Sequence, residues 1–309
     1  MRTSVKRILF CLLIIALTLP LASCSKYRVE MSNSRQSETM LIVDGKEVAF
    51  EVVDFFYHAR LDAYPNEPYA DRMEWVEQSI CELYAIFAVA KARNIDPFGD
   101  TIDAMLDDYV RNMIDSYPTR RDYIDAITAL HMTDATCRIL LRASLCETML
   151  ANITDIDEDT LRSFAAQEDV LRVYTMQLSF DTQRTWAEGR MEEILDKLEE
   201  GEDFLSVARE LATSESEHTY VTKRQWYRLC GEGAPEPVLG AMSEPLWESD
   251  TVILLKVAEK DLDFIAEHPA NILDSYLEYL IEGETDRLCE SLSRTEPYQA
   301  LAEESFVDA

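Results

Sequence analysis

Basic residues are scarce in this chain: 29 Lys and Arg stand against 59 Asp and Glu, for a formal charge of −30. Phosphate binding requires a basic footprint, so nucleic acid is excluded as a partner. Histidine is rarer still, four in 309 residues. His58, His131, His218 and His268 show no ligand spacing, so they read as structural or surface residues and no metal is expected. There are seven cysteines but no CxxC pair, which argues against a zinc ribbon or a disulfide framework. Phosphate loops, dinucleotide fingerprints and Ser-His-Asp arrangements are missing too, and no cofactor is expected. Carboxylates are so numerous that no catalytic pair can be singled out among them, and no internal repeat is apparent.

What is present is enough apolar material for a core. At 47% hydrophobic residues the chain is not disordered, and 309 residues suffice for two domains of ordinary size. Arg2, Lys6 and Arg7 precede the apolar run Ile8 to Leu19, the pattern of a cleavable export signal over residues 1–23. Leu21-Ala22-Ser23-Cys24 resembles a bacterial lipobox. That resemblance implies cleavage before Cys24, a lipid anchor on its sulfur, and a membrane-anchored place in the bacterial cell envelope, outside the cytoplasm. A plain signal peptide or an uncleaved anchor is the alternative. The first 23 residues carry +3, which leaves −33 on the remainder. Residues 24–40 are polar and read as a tether. With Cys11 and Cys24 set aside, Cys81, Cys137, Cys146, Cys230 and Cys289 remain. Most lie in helical patterns, where cysteine behaves as a small buried hydrophobe; whether any two pair stays open.

Within residues 41–168, Leu41 to Val48 form a hairpin signal around Asp44-Gly45. A helix with Val52, Phe55, Phe56 and Ala59 on one side follows. Amphipathic helices are then expected over about Arg72 to Arg93, Thr101 to Ser116, Arg120 to His131 and Ala135 to Ala151. Asp100, Thr119 and Thr133 serve as starts, and Pro97 and Pro118 as breaks. A short charged helix over Asp155 to Gln167 leads into residues 169–260.

That segment opens on the alternating strand Val170 to Phe180, whose Val170, Arg172, Tyr174, Met176, Leu178 and Phe180 form the greasier face. Asp181 can cap a helix with Ala187, Met191, Ile194, Leu195 and Leu198 along one side and Gly201 past its end. Asp203 can cap a shorter one carrying Phe204, Val207, Ala208 and Leu211. A polar loop, a strand around Gln225-Trp226-Tyr227, a turn region and the strand Thr251 to Val257 complete a β-α-α-β-(α)-β order. Residues 261–294 hold a helix from about Pro269 to Leu292, and residues 295–309 read as a frayed acidic tail. The fold class expected is α+β: a mostly helical domain plus a small domain with an antiparallel sheet flanked by helices.

The Leu198-Glu-Glu-Gly-Glu-Asp-Phe204 stretch, Val207-Ala208, Leu211, Trp226-Tyr227 and Ile253 to Val257 resemble a parvulin-type peptidyl-prolyl isomerase domain. Together with the hairpin and helix at the start, the chain resembles foldase lipoproteins of the PrsA and SurA type. The resemblance implies that the C-terminal helix packs back on the N-terminal domain, which makes the helical domain discontinuous, and that unfolded exported polypeptides are the partners. It further implies an apolar proline cradle, here Trp226, Tyr227, Leu239 and Met242, beside a pair of strand histidines. Prolyl isomerisation faces a barrier of about 18–20 kcal/mol, and a catalyst must favour the twisted amide. The two histidine positions align with Thr175 and about Ile253, so no catalytic residue is assigned, and the four cradle candidates can equally be core. A folding factor with a degenerate parvulin-like domain is the expected function. An active isomerase, or a helical surface lipoprotein acting as an adaptor or ligand binder, are the alternatives.

Overall fold

The computed structural model describes residues 37–153, 156–180, 183–231, 233–268 and 270–305. The export signal, Cys24, most of the tether and Asp181 lie outside the described residues. The chain divides into two compact units, one of residues up to Asn152 with those from Leu280 onward, the other Ile153–Tyr279.

In the first unit, strands β1 (Thr39–Val43) and β2 (Lys46–Ala49) form an antiparallel hairpin. Asp44 and Gly45 take φ of 50° and 73° at its tip, the pair of positive angles a tight primed turn needs. Helices α1 (Phe50–Ala63), α2 (Tyr69–Ala92), α3 (Asp100–Asp115), α4 (Arg120–Ala129) and α5 (Asp134–Ala151) follow. Thr119 and Thr133 each accept the backbone N–H three residues on, Asp122 and Thr136, so the two expected starts are true caps. Asp100 is not one: it lies in the first turn of α3, and Gly99 holds the cap position without a side-chain bond. The core gathers Phe55 and Phe56 from α1, Ile80, Leu83 and Phe87 from α2, and Leu140 and Leu150 from α5.

Residues 296–305 are not frayed. They form helix α12, which packs against β1, while the preceding strand β7 (Ser293–Arg294) pairs antiparallel with Leu41 and Ile42. Tyr298 is buried there, and its hydroxyl donates to Glu77 at 2.7 Å. Glu77 also receives the forked guanidinium of Arg294.

In the second unit, α6 (Glu158–Ala166) is capped by Asp157 and leads into β3 (Val170–Ser179). Then come α7 (Arg184–Glu199), α8 (Phe204–Leu211) capped by Asp203, β4 (Ser214–Thr222), α9 (Lys223–Cys230), β5 (Leu246–Trp247), β6 (Thr251–Ala258) and α10 (Leu262–Glu267). The strands make one antiparallel sheet in the order β4-β3-β6-β5. Helix α11 (Ala270–Ser291) begins in this unit and ends in the other.

Both faces of β3 are covered, because the sheet is sandwiched. Met176, Leu178, Val252 and Leu254 meet α7 and α8 through Ala187, Met191, Ile194, Phe204, Val207 and Leu211. Leu171, Val173, Ile253, Leu255 and Val257 meet Trp226 on the opposite face. The fold is α+β, as composition and periodicity implied.

Two expected elements differ. The segment anticipated as a loop after Leu211 is edge strand β4, whose polar Ser-Glu-Ser-Glu start suits a strand with one side unpaired. The segment anticipated as a strand around Trp226 is helix α9. Thr222 and Gln225 close a reciprocal capping box, the Thr222 hydroxyl accepting from Gln225 N at 3.0 Å and the Gln225 amide oxygen accepting from Thr222 N at 2.6 Å.

The five described cysteines are free thiols, Cys81, Cys137 and Cys146 buried and Cys230 and Cys289 half-buried. Burial pushes the Cys137 and Cys146 thiols up to about 11 from an ordinary 9.0. Cys81 is raised too, by its hydrogen bond with Cys289 and then by burial. A thiol whose folded pKa is raised favours the fold in its neutral form. Its contribution is complete below pH 9 and is lost as pH climbs through 11. Urea unfolding at pH 7, 9 and 10.5 is therefore expected to show stability falling only above pH 9, by on the order of 2 kcal/mol per buried thiol. A flat profile would remove these two thiols as the cause.

Candidate functional site

The face of the second sheet beneath α9 is the place to look for a cradle. The capping box fixes the start of α9 and turns Trp226 inward, where it is 0% exposed, and its indole N–H donates to Pro235 O at 3.0 Å. Beyond Pro235 the chain runs back along β6. Gly240 N donates to Val257 O at 3.0 Å, Val257 N to Ala241 O at 2.8 Å, and Ser243 N to Leu255 O at 2.9 Å. Gly240 takes φ of +84°, a conformation that favours glycine, just where the chain joins the edge of β6.

The four cradle candidates do not converge. Trp226 is sealed in the cluster under α9, whereas Met242 packs against the cluster under α7 and α8, on the other face of the sheet. Tyr227 is 44% exposed on the outside of α9, and Leu239 is 70% exposed just ahead of Gly240. Val238, which sequence reasoning did not single out, is 57% exposed beside it. Tyr227, Val238 and Leu239 thus leave from two segments, one carrying the buried Trp226 and the other Ala241, half-buried against the same cluster.

Thr175 and Ile253 stand on adjacent strands. Thr175 lies opposite Leu255 and Gln177 opposite Ile253, so the two positions are diagonal neighbours on the Trp226 side. Neither side chain can take or give a proton at neutral pH. The thiol of Cys230, at the end of α9, is pushed up to about 11 by burial and is not a thiolate at pH 7. The Ser243 hydroxyl accepts from Leu255 N at 3.0 Å.

No family model and no curated protein matches the sequence. Solved structures do match. Foldase protein PrsA from Streptococcus pneumoniae is 14% identical, with 81% of this chain and 92% of that one covered and a TM-score of 0.25. PrsA from Bacillus subtilis is 13% identical, covering 82% and 93%, with a TM-score of 0.24. A Campylobacter jejuni structure, from work describing PEB4 and Cj1289 as two structurally related SurA-like chaperones, is 12% identical, covering 84% and 99%, at a TM-score of 0.27. Scores this low leave the chemistry to be read from this chain's own residues.

The histidines fall into two stacked groups that their spacing does not reveal. His218 lies flat on Phe264, ring centroids 3.3 Å apart, with His268 on the same phenyl ring at 4.4 Å. Burial, and then Arg172, hold His218 below the ordinary imidazole value. In the first unit, His58 and His131 stack at 3.7 Å with their planes 5° apart. Burial and the neighbouring His58 lower His131 likewise. Among the described residues no helix is long and apolar enough to cross a membrane.

Proposed function

We propose that the protein is an extracytoplasmic folding factor, held at a membrane by lipid on Cys24, that retains unfolded exported polypeptides on exposed apolar side chains and does not turn over proline. The observation that carries the reading is the second unit's face: a sheet backed by a sealed Trp226, with Tyr227, Val238 and Leu239 held out in water from the segments around it. Unfolded chains present apolar and aromatic side chains, and such surfaces take them without demanding a sequence. The resemblance aligns the isomerases' two histidines with Thr175 and about Ile253, which supports a domain that binds without isomerising. The acidic surface keeps a client-loaded complex soluble.

The mature chain, mixed at equimolar ratio with a reduced, unfolded client, is expected to suppress light scattering as the client aggregates. Absence of both suppression and client binding would sink the reading. Tyr227→Ser combined with Leu239→Ser is expected to weaken suppression by about twofold or more while thermal unfolding stays within about 0.5 kcal/mol of the parent, since both side chains are already in water. In a protease-coupled proline-peptide assay the expected rate is the spontaneous one; turnover matching a histidine-bearing parvulin domain would make the protein an enzyme.

A further inference from the structure

The geometry points to a divalent transition-metal site in the first unit, formed by Asp54, His58 and His131, with zinc the ion that fits best. Asp54 and His58 lie one turn apart on α1, so their side chains share a face. His131 comes from the turn between α4 and α5. It ends α4 with φ of 55°, and the bonds His131 N to Thr128 O and Met132 N to Ile127 O, both 3.0 Å, close a reverse turn there. This is an ordinary left-handed helix ending, and histidine is among the non-glycine residues that adopt it. The Thr133 hydroxyl, two residues on, donates to a Glu51 carboxylate oxygen at 2.6 Å, and the Thr136 hydroxyl to Glu51 O at 3.3 Å. These bonds clamp the start of α5 to α1 and set His131 over His58.

The three side chains offer one ligand atom each, all within 4.8 Å of one another. A tetrahedral zinc bound at about 2.0–2.1 Å separates its ligand atoms by roughly 3.4 Å. His58 Nε2 and Asp54 Oδ1 already stand 3.5 Å apart. His131 stacks on His58 with ring centroids 3.7 Å apart, and its exposed side chain has to rotate out of that stack to point a nitrogen at the ion. Two imidazoles and one carboxylate select a borderline ion of the zinc, nickel or copper type over magnesium or calcium, which prefer all-oxygen shells. The exposed side leaves a coordination position to water.

The test is titration of the full chain, tag-free and in detergent, with zinc chloride alone, followed by calorimetry and by competition with a chromophoric chelator. One zinc per chain is expected, with a rise in melting temperature that a chelator reverses, because only the folded chain assembles the three ligands. Asp54→Asn, His58→Gln and His131→Asn are each expected to weaken zinc binding at least about tenfold. Asparagine tolerates the backbone at 131, so that variant keeps the turn. Metal-free melting curves of the variants should match the parent's, which separates a lost ligand from a lost fold. Replacing zinc by cobalt should give visible absorption bands of a nitrogen- and oxygen-ligated ion that vanish in the variants. Failure of the parent to take up zinc saturably, or equal uptake by all three variants, overturns the site and leaves the proposed client binding untouched.

Discussion

Replacing Trp226 with alanine is expected to cost the second unit about 3–5 kcal/mol, enough to unfold much of it at physiological temperature. The side chain is the largest fully buried one in the protein and fills the space between α9 and the strand residues Leu171, Val173 and Val257. Its removal leaves a cavity that the sheet cannot close, because β3 is paired on both edges and the backbone stretch through Ala241 to Ser243 is bonded to β6. The Pro235 carbonyl also loses the indole donor. Trp226→Phe separates the two contributions: most of the volume stays, and the missing hydrogen bond costs on the order of 1 kcal/mol. Urea unfolding, followed by circular dichroism, checks both. A Trp226→Ala chain that kept its stability while losing client binding would mean that the indole is a contact surface, contrary to its burial.

The second large effect lies at the other end of the chain. Tyr298→Ala is expected to destabilise the first unit by about 3 kcal/mol and to expose residues 293–305 to protease, because α12 packs against β1 and Tyr298 is its one buried side chain among those described. Tyr298→Phe keeps the ring and gives up only the hydroxyl bond to Glu77, at about 1 kcal/mol, while Glu77 retains Arg294. Burial and then the bond to Glu77 hold the phenol above its ordinary range, so it stays neutral and donating at any pH at which the protein works. Limited proteolysis with mass readout distinguishes the two variants; equal protection in both would mean that β7 pairing alone secures the C-terminal segment.

These two residues also mark how far the sequence could be read. Trp226 was recognisable as an aromatic that must be buried or used, but the element carrying it was not. The Lys223 to Cys230 stretch reads as a strand by its aromatics. What turns it into a helix is the Thr222–Gln225 capping box, a spacing visible in the sequence but easily passed over in a polar run. Met242 was grouped with Trp226 although the sheet separates them. Which side of a sheet a residue occupies depends on register, and register is set by pairing with a partner strand. Tyr298 sat in a segment whose many acids suggested solvent. The pairing of β7 with β1, the bonds of Thr295 to Thr39 O and Met40 O, and the buried Tyr298 dock it, because β1 offered an open edge.

By itself the sequence determined the local grammar: the Asp44-Gly45 turn, the caps at Thr119, Thr133 and Asp203, and through these the α+β class. Such signals act over a few residues and need no partner. The tertiary structure alone decided which faces of the sheet are sealed, that β7 joins β1, and that His131 comes to rest on His58 beside Asp54. Each of these depends on groups far apart along the chain, brought together by burying apolar surface and satisfying backbone hydrogen bonds, and no spacing rule encodes where such distant groups will meet.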